Sequence, residues 1–291
     1  VTQSQETDSP DDFGFSTKLA CTTADTSVGA SDYFILQYDV EGQDLKRFAK
    51  GTSSAKEFTI SFFVKGNASA TYTLELYDTD NNRQISKTYS VTTSWTRVEL
   101  TYPADTTGAN NADSTSGLSI KFWLHAGTDR TSGTLNSSAW GAGSNTANRV
   151  SSSSTNFFDS TSRTFFITGV QLEVGSQATP FEHLTFGEEL ALCQRYFTNI
   201  AFNTSWFIDA YLAAYGYSTH NVNFPTQMRG APTNNPAIDK SEFTRFNVTE
   251  TELKVHVTGQ NGFVFQIRAT STGRTYVVGN TTGSLSFDAE I

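Results

Sequence analysis

At 291 residues, with a formal charge of −9 and no apolar run near the roughly 18 to 20 residues that a membrane helix needs, the chain reads as soluble, with room for two domains. The acidic balance and the lack of any Lys/Arg cluster exclude a grip on nucleic-acid phosphates. Charged residues make up only 17% while Phe numbers 23, so solubility rests on Ser, Thr, Asn and Gly, a profile that suits a β-rich outer-surface protein.

Residues 1–12 (VTQSQETDSPDD) form a polar lead without a hydrophobic signal core. The chain opens on Val1 and not on methionine, as expected of a processed or trimmed piece of a longer polypeptide. Strand patterns begin at Phe13–Cys21 and continue at Asp32–Val40. In Glu57–Lys65 the inward set is Ile60, Phe62 and Val64, and in Thr71–Asp78 it is Tyr72, Leu74 and Leu76. Gln84–Val91 follows, then Trp95–Tyr102 with Val98 and Leu100 inward, and Leu118–His125 with Leu118, Ile120, Phe122 and Leu124 inward. Many short alternating strands with almost no helix between them predict an antiparallel sandwich.

The same parity sends Lys121, Trp123 and His125 away from the core, with Trp123 as the candidate exposed aromatic, and puts Phe63 and Tyr77 opposite their strands' aliphatic faces. An outward ring either packs on a second subunit or the other domain, or stacks on a sugar ring while its neighbours hydrogen-bond the hydroxyls. From Ala126 to Asp159 periodicity is lost, with Leu135 and Trp140 as isolated apolar posts and Trp140 expected to anchor the loop. Phe165–Val174 returns as a closing strand, with Thr168, Val170, Leu172 and Val174 on one side.

Thr185 and Glu188 have the spacing of a capping box, so a short helix is expected to follow. It carries Phe186, Leu190, Cys193 and Phe197 on one face, a candidate seam between subunits. Beyond Thr198 lie apolar runs at 206–217, 221–224, 243–248, 252–257, 263–268 and 275–278, split by turns such as Gly259-Gln260-Asn261-Gly262. Trp206, Tyr211, Tyr215 and Tyr217 concentrate aromatics there, and Arg229 is a candidate for reaching an acidic partner across a subunit boundary. Cys21 and Cys193, far apart in sequence, read as two thiols and not a disulfide.

The run ITGVQLEVG, followed by ATPFE and then EELALCQRYF, closely resembles a signature of tail-fibre-type and other virion structural proteins of bacteriophages. NFPTQMRGAPT (223–233) and the final FDAEI are similar to further elements of the same proteins. GFSTKLACTTADT, the stretch 41–66, YDTDNNRQISK and TYPADTTG resemble their jelly roll, itself similar to carbohydrate-binding modules of bacterial glycanases. The resemblance implies an all-β chain: an N-terminal antiparallel jelly-roll β-sandwich over 13–180, a short linking helix over 181–197 and a smaller C-terminal β domain over 198–291. It further implies a homotrimer in a virion, as a distal tail fibre or receptor-binding protein that contacts other virion proteins and a host surface polysaccharide or lipopolysaccharide. The alternatives are a capsid decoration or head fibre of purely structural role, and a depolymerising tailspike.

Catalysis finds little support in the residues. A glycanase needs two carboxylates held across a sugar bond, and nothing pairs Asp11-Asp12, Asp78–Asp80 or the acidic residues of 105–113. No nucleophile motif occurs after a strand. Asp78-Thr79-Asp80-Asn81-Asn82 begins like a calcium loop, but Arg83 replaces the glycine and Tyr89 the closing glutamate, so a hairpin turn is the better reading. The four histidines, His125, His183, His220 and His256, have no ligand spacing, so no metal site is assigned. The resemblance leaves room for a structural calcium without indicating ligands. The candidate glycan contacts are Trp123, His125, Tyr77, Trp140, Trp206 and Tyr217. The candidate subunit contacts are Phe186, Leu190, Phe197 and Arg229.

Overall fold

Alternation of large apolar and polar residues from Phe58 to Ala126 builds two sheets that close on each other through aromatic rings. The structure, a computed structural model, describes residues 1–201, 207–212, 216–233, 243–246, 250–269, 273–279 and 284–289. Its strands up to residue 182 are β1 (Thr2–Glu6), β2 (Ser16–Ala20), β3 (Tyr33–Glu41), β4 (Phe58–Gly66), β5 (Ala70–Asp78), β6 (Arg83–Val91), β7 (Thr96–Tyr102), β8 (Ser116–Ala126), β9 (Gly141–Ala142) and β10 (Thr164–Val174). One antiparallel sheet runs β1-β2-β10-β4-β7 and the other β3-β8-β5-β6-β9. Phe62 of the first meets Phe122 and Tyr89 of the second edge-on, each at 5.1 Å between centroids, and Tyr72 meets Phe165 at 5.8 Å. Ile60, Leu74, Leu76, Ile85, Leu118, Ile120 and Leu124 complete this core.

One expectation for this unit is corrected. Within the polar lead, Thr2–Glu6 pairs with Ser16–Ala20 as an edge strand held by backbone bonds and almost no burial. In β10 the alternation does not run unbroken. Gly169, at φ +61°, bulges the strand between Thr168 and Gln171, so that Phe165 and Ile167 face the core on one side of it and Leu172 and Val174 on the other. Val170, placed inward by the pattern, is 42% exposed.

The described chain divides between Glu182 and His183. The second unit opens with the helix Phe186–Gln194 (α2), capped as its sequence predicts: the Thr185 backbone N–H donates to Glu188 Oε2 at 3.0 Å, and Thr185 Oγ1 accepts from the Glu188 N–H at 3.4 Å. The helix stops at Gln194, so Phe197 is not on its face. Phe197 instead begins β11 (Phe197–Ala201), which pairs with the last strand. The following strands are β12 (Phe207–Leu212), β13 (Tyr217–Asn223), β14 (Phe243–Phe246), β15 (Glu250–Gly259), β16 (Gly262–Ala269), β17 (Gly273–Gly279) and β18 (Ser284–Asp288). They form sheets β11-β18, β12-β17-β14 and β13-β16-β15, and the Gly259–Gly262 turn joins the hairpin β15–β16 as its sequence suggests. Phe224 and Met228 of the FPTQMR run insert into a core with Phe263, Phe265, Ile267 and Phe287.

Candidate functional site

The outward faces of the sandwich are where sequence parity placed its candidate ligands, and most of those residues turn out to be covered by their own chain. On the first sheet, Phe63 packs against Phe13, at 5.3 Å between centroids, and Phe13 in turn against Phe181 at 5.0 Å. Arg97 stands 5.9 Å from the Phe63 ring centroid. The lead and the segment after β10 thus supply the cover that a second subunit was expected to give.

The second sheet carries the more structured outer face. Register places Ile35, Trp123 and Thr73 on one rung, Gln37, Lys121, Glu75 and Ser86 on the next, and Asp39, Ser119, Tyr77 and Gln84 on a third. The segment 127–159, aperiodic in sequence, folds over the β5–β6 half of this face. The Asn136 backbone carbonyl accepts from the Ser86 N–H at 2.8 Å, and Gly141–Ala142 pairs with Arg83 and Gln84. Ser154 Oγ meets Thr73 Oγ1 at 3.0 Å, and the Thr71 N–H donates to Thr155 Oγ1 at 3.0 Å. Within the segment a single turn of helix, Thr128–Thr131 (α1), sits at the end of β8.

Trp123 is therefore not the exposed aromatic that the parity predicts: it faces outward but is only 3% exposed. Its Nε1–H donates to Glu75 Oε2 at 2.8 Å, and Tyr33 lies against its ring at 5.7 Å. Glu75 is wholly buried, with Arg149 Nε 3.5 Å from Oε1, an ion pair too long for a good hydrogen bond. Burial pushes the Glu75 carboxyl above its ordinary range in spite of Arg149, Lys121 and Trp123. Burial likewise lowers the Lys121 ammonium, against the pull of Glu75. Tyr77 sits between the two cations, 4.3 Å from Lys121 and 4.8 Å from Arg149, and its hydroxyl donates to Asn82 Oδ1 at 3.0 Å. The backbone of the covering segment passes so close that a Cβ on Gly143 would come within 2.8 Å of the Tyr77 ring.

Trp140 is the loop anchor it was expected to be, buried in the core with Nε1–H donating to the Pro103 carbonyl at 2.9 Å. That same burial leaves it no free ring face for a ligand. His125 does not keep the outward parity expected of it: a register shift beyond Trp123 pairs it with Phe34, which packs on the core, and it is 7% exposed, lining a cavity of about 200 Å³ beside α1. The β3 half of the face stays open. Tyr33 there is 55% exposed, and Gln37 is exposed, with Nε2 donating to Asp39 at 2.8 Å. Sequence reasoning passed over Tyr33, although it shares the parity of Gln37 and Asp39 and so could have been found.

The Asp78–Asn82 segment is the β5–β6 turn, as read from its residues. Its acidic groups are claimed from within. Asp78 accepts from Lys50 Nζ, from the Asn81 backbone N–H at 3.1 Å and from Asn110 Nδ2 at 3.2 Å. Lys50 also lies 3.1 Å from Asp105 and donates to the Gly108 carbonyl at 2.9 Å. An ammonium thus stands among the oxygens to which a cation would be drawn. Among the described residues no group of three or more His, Cys, Asp or Glu side chains is arranged to hold a metal ion.

In the second unit Tyr217 is exposed, with the Arg268 guanidinium 5.2 Å from its ring. Trp206 lies outside the described residues. Phe186 is 80% exposed, and Leu190 and Phe197 are also exposed. Arg229, the candidate subunit contact, donates through Nη1 to the Ala289 carbonyl of its own chain at 2.8 Å. Cys21 is buried and Cys193 exposed, both as free thiols.

No family model matches the chain, and no curated relative matches it. Solved structures similar to it include carbohydrate-binding modules. The CBM22-1 xylan-binding domain from Paenibacillus barcinonensis Xyn10C is 12% identical, covering 61% of this chain and 83% of its own, with a TM-score of 0.31. The family 11 module of the cellulosomal cellulase Lic26A-Cel5E of Clostridium thermocellum is 13% identical, covering 62% and 84%, with a TM-score of 0.31. The tandem CBM22-1–CBM22-2 domain of Xyn10C covers 99% of this chain at 12% identity and a TM-score of 0.30.

Proposed function

We propose that the chain is a non-catalytic carbohydrate-recognition protein of a bacteriophage virion, part of a distal tail fibre or receptor-binding protein, which binds a host surface polysaccharide. The observation that carries the recognition reading is the open half of the second sheet's outer face. There the exposed Tyr33 rests on buried Trp123 with the Arg130 guanidinium 5.9 Å from its ring, and the amide of Gln37 and the carboxylate of Asp39 follow further along the same side of β3. A firmly backed ring in line with hydrogen-bonding groups suits the apolar body and hydroxyl rim of a sugar. Binding and not cleavage is favoured because Glu75 is sealed beneath Arg149 and Trp123, so that this face does not present the opposed pair of carboxylates that glycoside hydrolysis uses. Tyr217 on Arg268 is the corresponding aromatic of the second unit. The virion assignment is supported by the sequence resemblance over 167–197 and 223–233.

The exposed apolar residues of α2 and its flanks, Phe186, Leu190 and Phe197, favour a companion role in assembly, with a homotrimer as the expected state and further contacts to other virion proteins. Retention on immobilised bacterial surface polysaccharides tests the recognition reading. Tyr33→Ala should lower retention at least fivefold with the melting profile unchanged, and an undiminished Tyr33→Ala variant removes the face from the argument. Sedimentation equilibrium tests the assembly reading: a monomer at micromolar concentration refutes it.

A further inference from the structure

We infer that the cavity at His125 is a subsite for a single neutral sugar residue, an inference that rests on the carbohydrate reading above. The cavity, about 200 Å³, far exceeds the roughly 10–15 Å³ that one water needs and falls below the roughly 300–1,000 Å³ of sites for larger ligands. It therefore suits one ring and not a length of chain.

His125 lies in its floor, 7% exposed, with one side of the imidazole edge-on to Phe158 at 5.3 Å. Among the described residues neither ring nitrogen has a hydrogen-bond or ion-pair partner, and neither is fully buried, so the imidazole opens on the cavity with hydrogen-bonding capacity free for something that enters it. The walls bear the hydroxyls of Thr128, Thr131, Ser154 and Thr155. Three of them are fixed by the chain itself: Thr131 donates to the Gly127 carbonyl at 3.3 Å, Ser154 Oγ meets Thr73 Oγ1 at 3.0 Å, and Thr155 Oγ1 accepts from the Thr71 N–H at 3.0 Å. Each retains further hydrogen-bonding capacity, since a hydroxyl offers one proton and two lone pairs.

No Lys, Arg, Asp or Glu lines the cavity, which disfavours phosphate, carboxylate and cationic ligands alike. Val28, exposed at the rim, supplies an apolar patch for the C–H face of a ring. Donors and acceptors around a small apolar contact are the complement of a neutral polyol. The exit is also placed: Ala126 lines the cavity and pairs in register with Tyr33, so a chain whose end occupies the cavity would continue onto the exposed tyrosine.

The test is NMR of the histidine ring signals of the full chain, titrated separately with glucose, galactose, mannose and N-acetylglucosamine, alongside polysaccharide retention. At least one sugar should shift the His125 ring signals and leave those of His183 and His256 in place. Val28→Trp, an exposed rim substitution that closes the mouth, should abolish the shift without unfolding the protein. Tyr33→Ala should weaken polysaccharide retention yet preserve the monosaccharide response. If no sugar moves His125, or if Val28→Trp leaves the response intact, the inference is overturned. Silent His125 signals with Tyr33-dependent retention would sink the cavity alone, whereas a responsive His125 with Tyr33-independent retention would support the cavity and sink the open face.

Discussion

Lys50→Met should unfold the first unit at a much lower temperature, because it removes the ammonium from between two buried carboxylates. Asp105 would keep its fork from Arg83, with Nε at 2.7 Å and Nη2 at 2.9 Å, so the loss falls mainly on Asp78, which is wholly buried and would retain only the uncharged donors of Asn81 and Asn110. Methionine keeps most of the aliphatic stem, so the change isolates the charge. Stranding one member of a buried ion pair costs about 3–5 kcal/mol. In a unit of 182 residues, at about 2–4 °C per kcal/mol, that lowers Tm by roughly 6–20 °C. Scanning calorimetry of the whole chain should show one transition displaced and the other fixed. The double variant Lys50→Met/Asp78→Asn should recover at least half of the loss, since it leaves no uncompensated charge. A loss below about 1 kcal/mol, the worth of an exposed pair, or a double variant no better than the single, would refute the reasoning.

At Glu75 charge and hydrogen bond can be separated. Glu75→Gln should stay within about 1 kcal/mol of wild type in urea melts, while Glu75→Leu, which strips the acceptor from Trp123, should lose about 1–3 kcal/mol. Because burial raises the Glu75 carboxyl, the folded chain binds that proton more tightly than the unfolded one, so its contribution to stability grows as pH falls through the folded value and disappears in Glu75→Gln. Asp105 works the other way. Burial pushes its carboxyl up, but Arg83, the Thr107 N–H and Lys50 together hold it below its ordinary value, so its contribution is present above the unfolded pKa and lost in acid; Asp105→Asn should flatten the acid limb of the stability profile. With a thiol reagent, Cys193 should react promptly and Cys21 only on unfolding, and similar rates at both would contradict their placement. Gly169→Ala should cost about 1–3 kcal/mol by denaturant melts, since it forces a positive φ and puts a Cβ 2.6 Å from the Phe13 ring; a neutral outcome would deny the bulge.

What was legible in the sequence was what is decided locally. The inward sets of the strands from Phe58 to Ala126, the turn at Asp78–Asn82 and the Thr185–Glu188 cap all depend on residues within a few positions of each other, and each forms as its pattern implies. Thr2–Glu6 gave no signal because an edge strand that buries almost nothing has no apolar periodicity to show. The flip in β10 was announced by a glycine inside a strand pattern, but not its direction. The exposure of Trp123 could not be read at all, because parity says which side of a sheet a residue leaves from and nothing about what lies over it.

That distinction bears on the site itself. The segment 127–159 looks expendable by composition, yet it supplies Arg149 over Glu75 and Tyr77, Ser154 against Thr73, and two walls of the His125 cavity. It seals the β5–β6 half of the second sheet and sets Arg130 5.9 Å from the Tyr33 ring on the β3 half, where Tyr33 and Gln37 stay exposed. Trp123 thereby changes its role from contact to support: its indole is fixed from one side by Glu75 and carries Tyr33 on the other. Truncating it would remove a buried aromatic at a cost of about 3–5 kcal/mol, so lost binding in Trp123→Ala could not be told from lost folding. Tyr33, more than half exposed and backed by a ring that is already held, is where a substitution can separate recognition from stability.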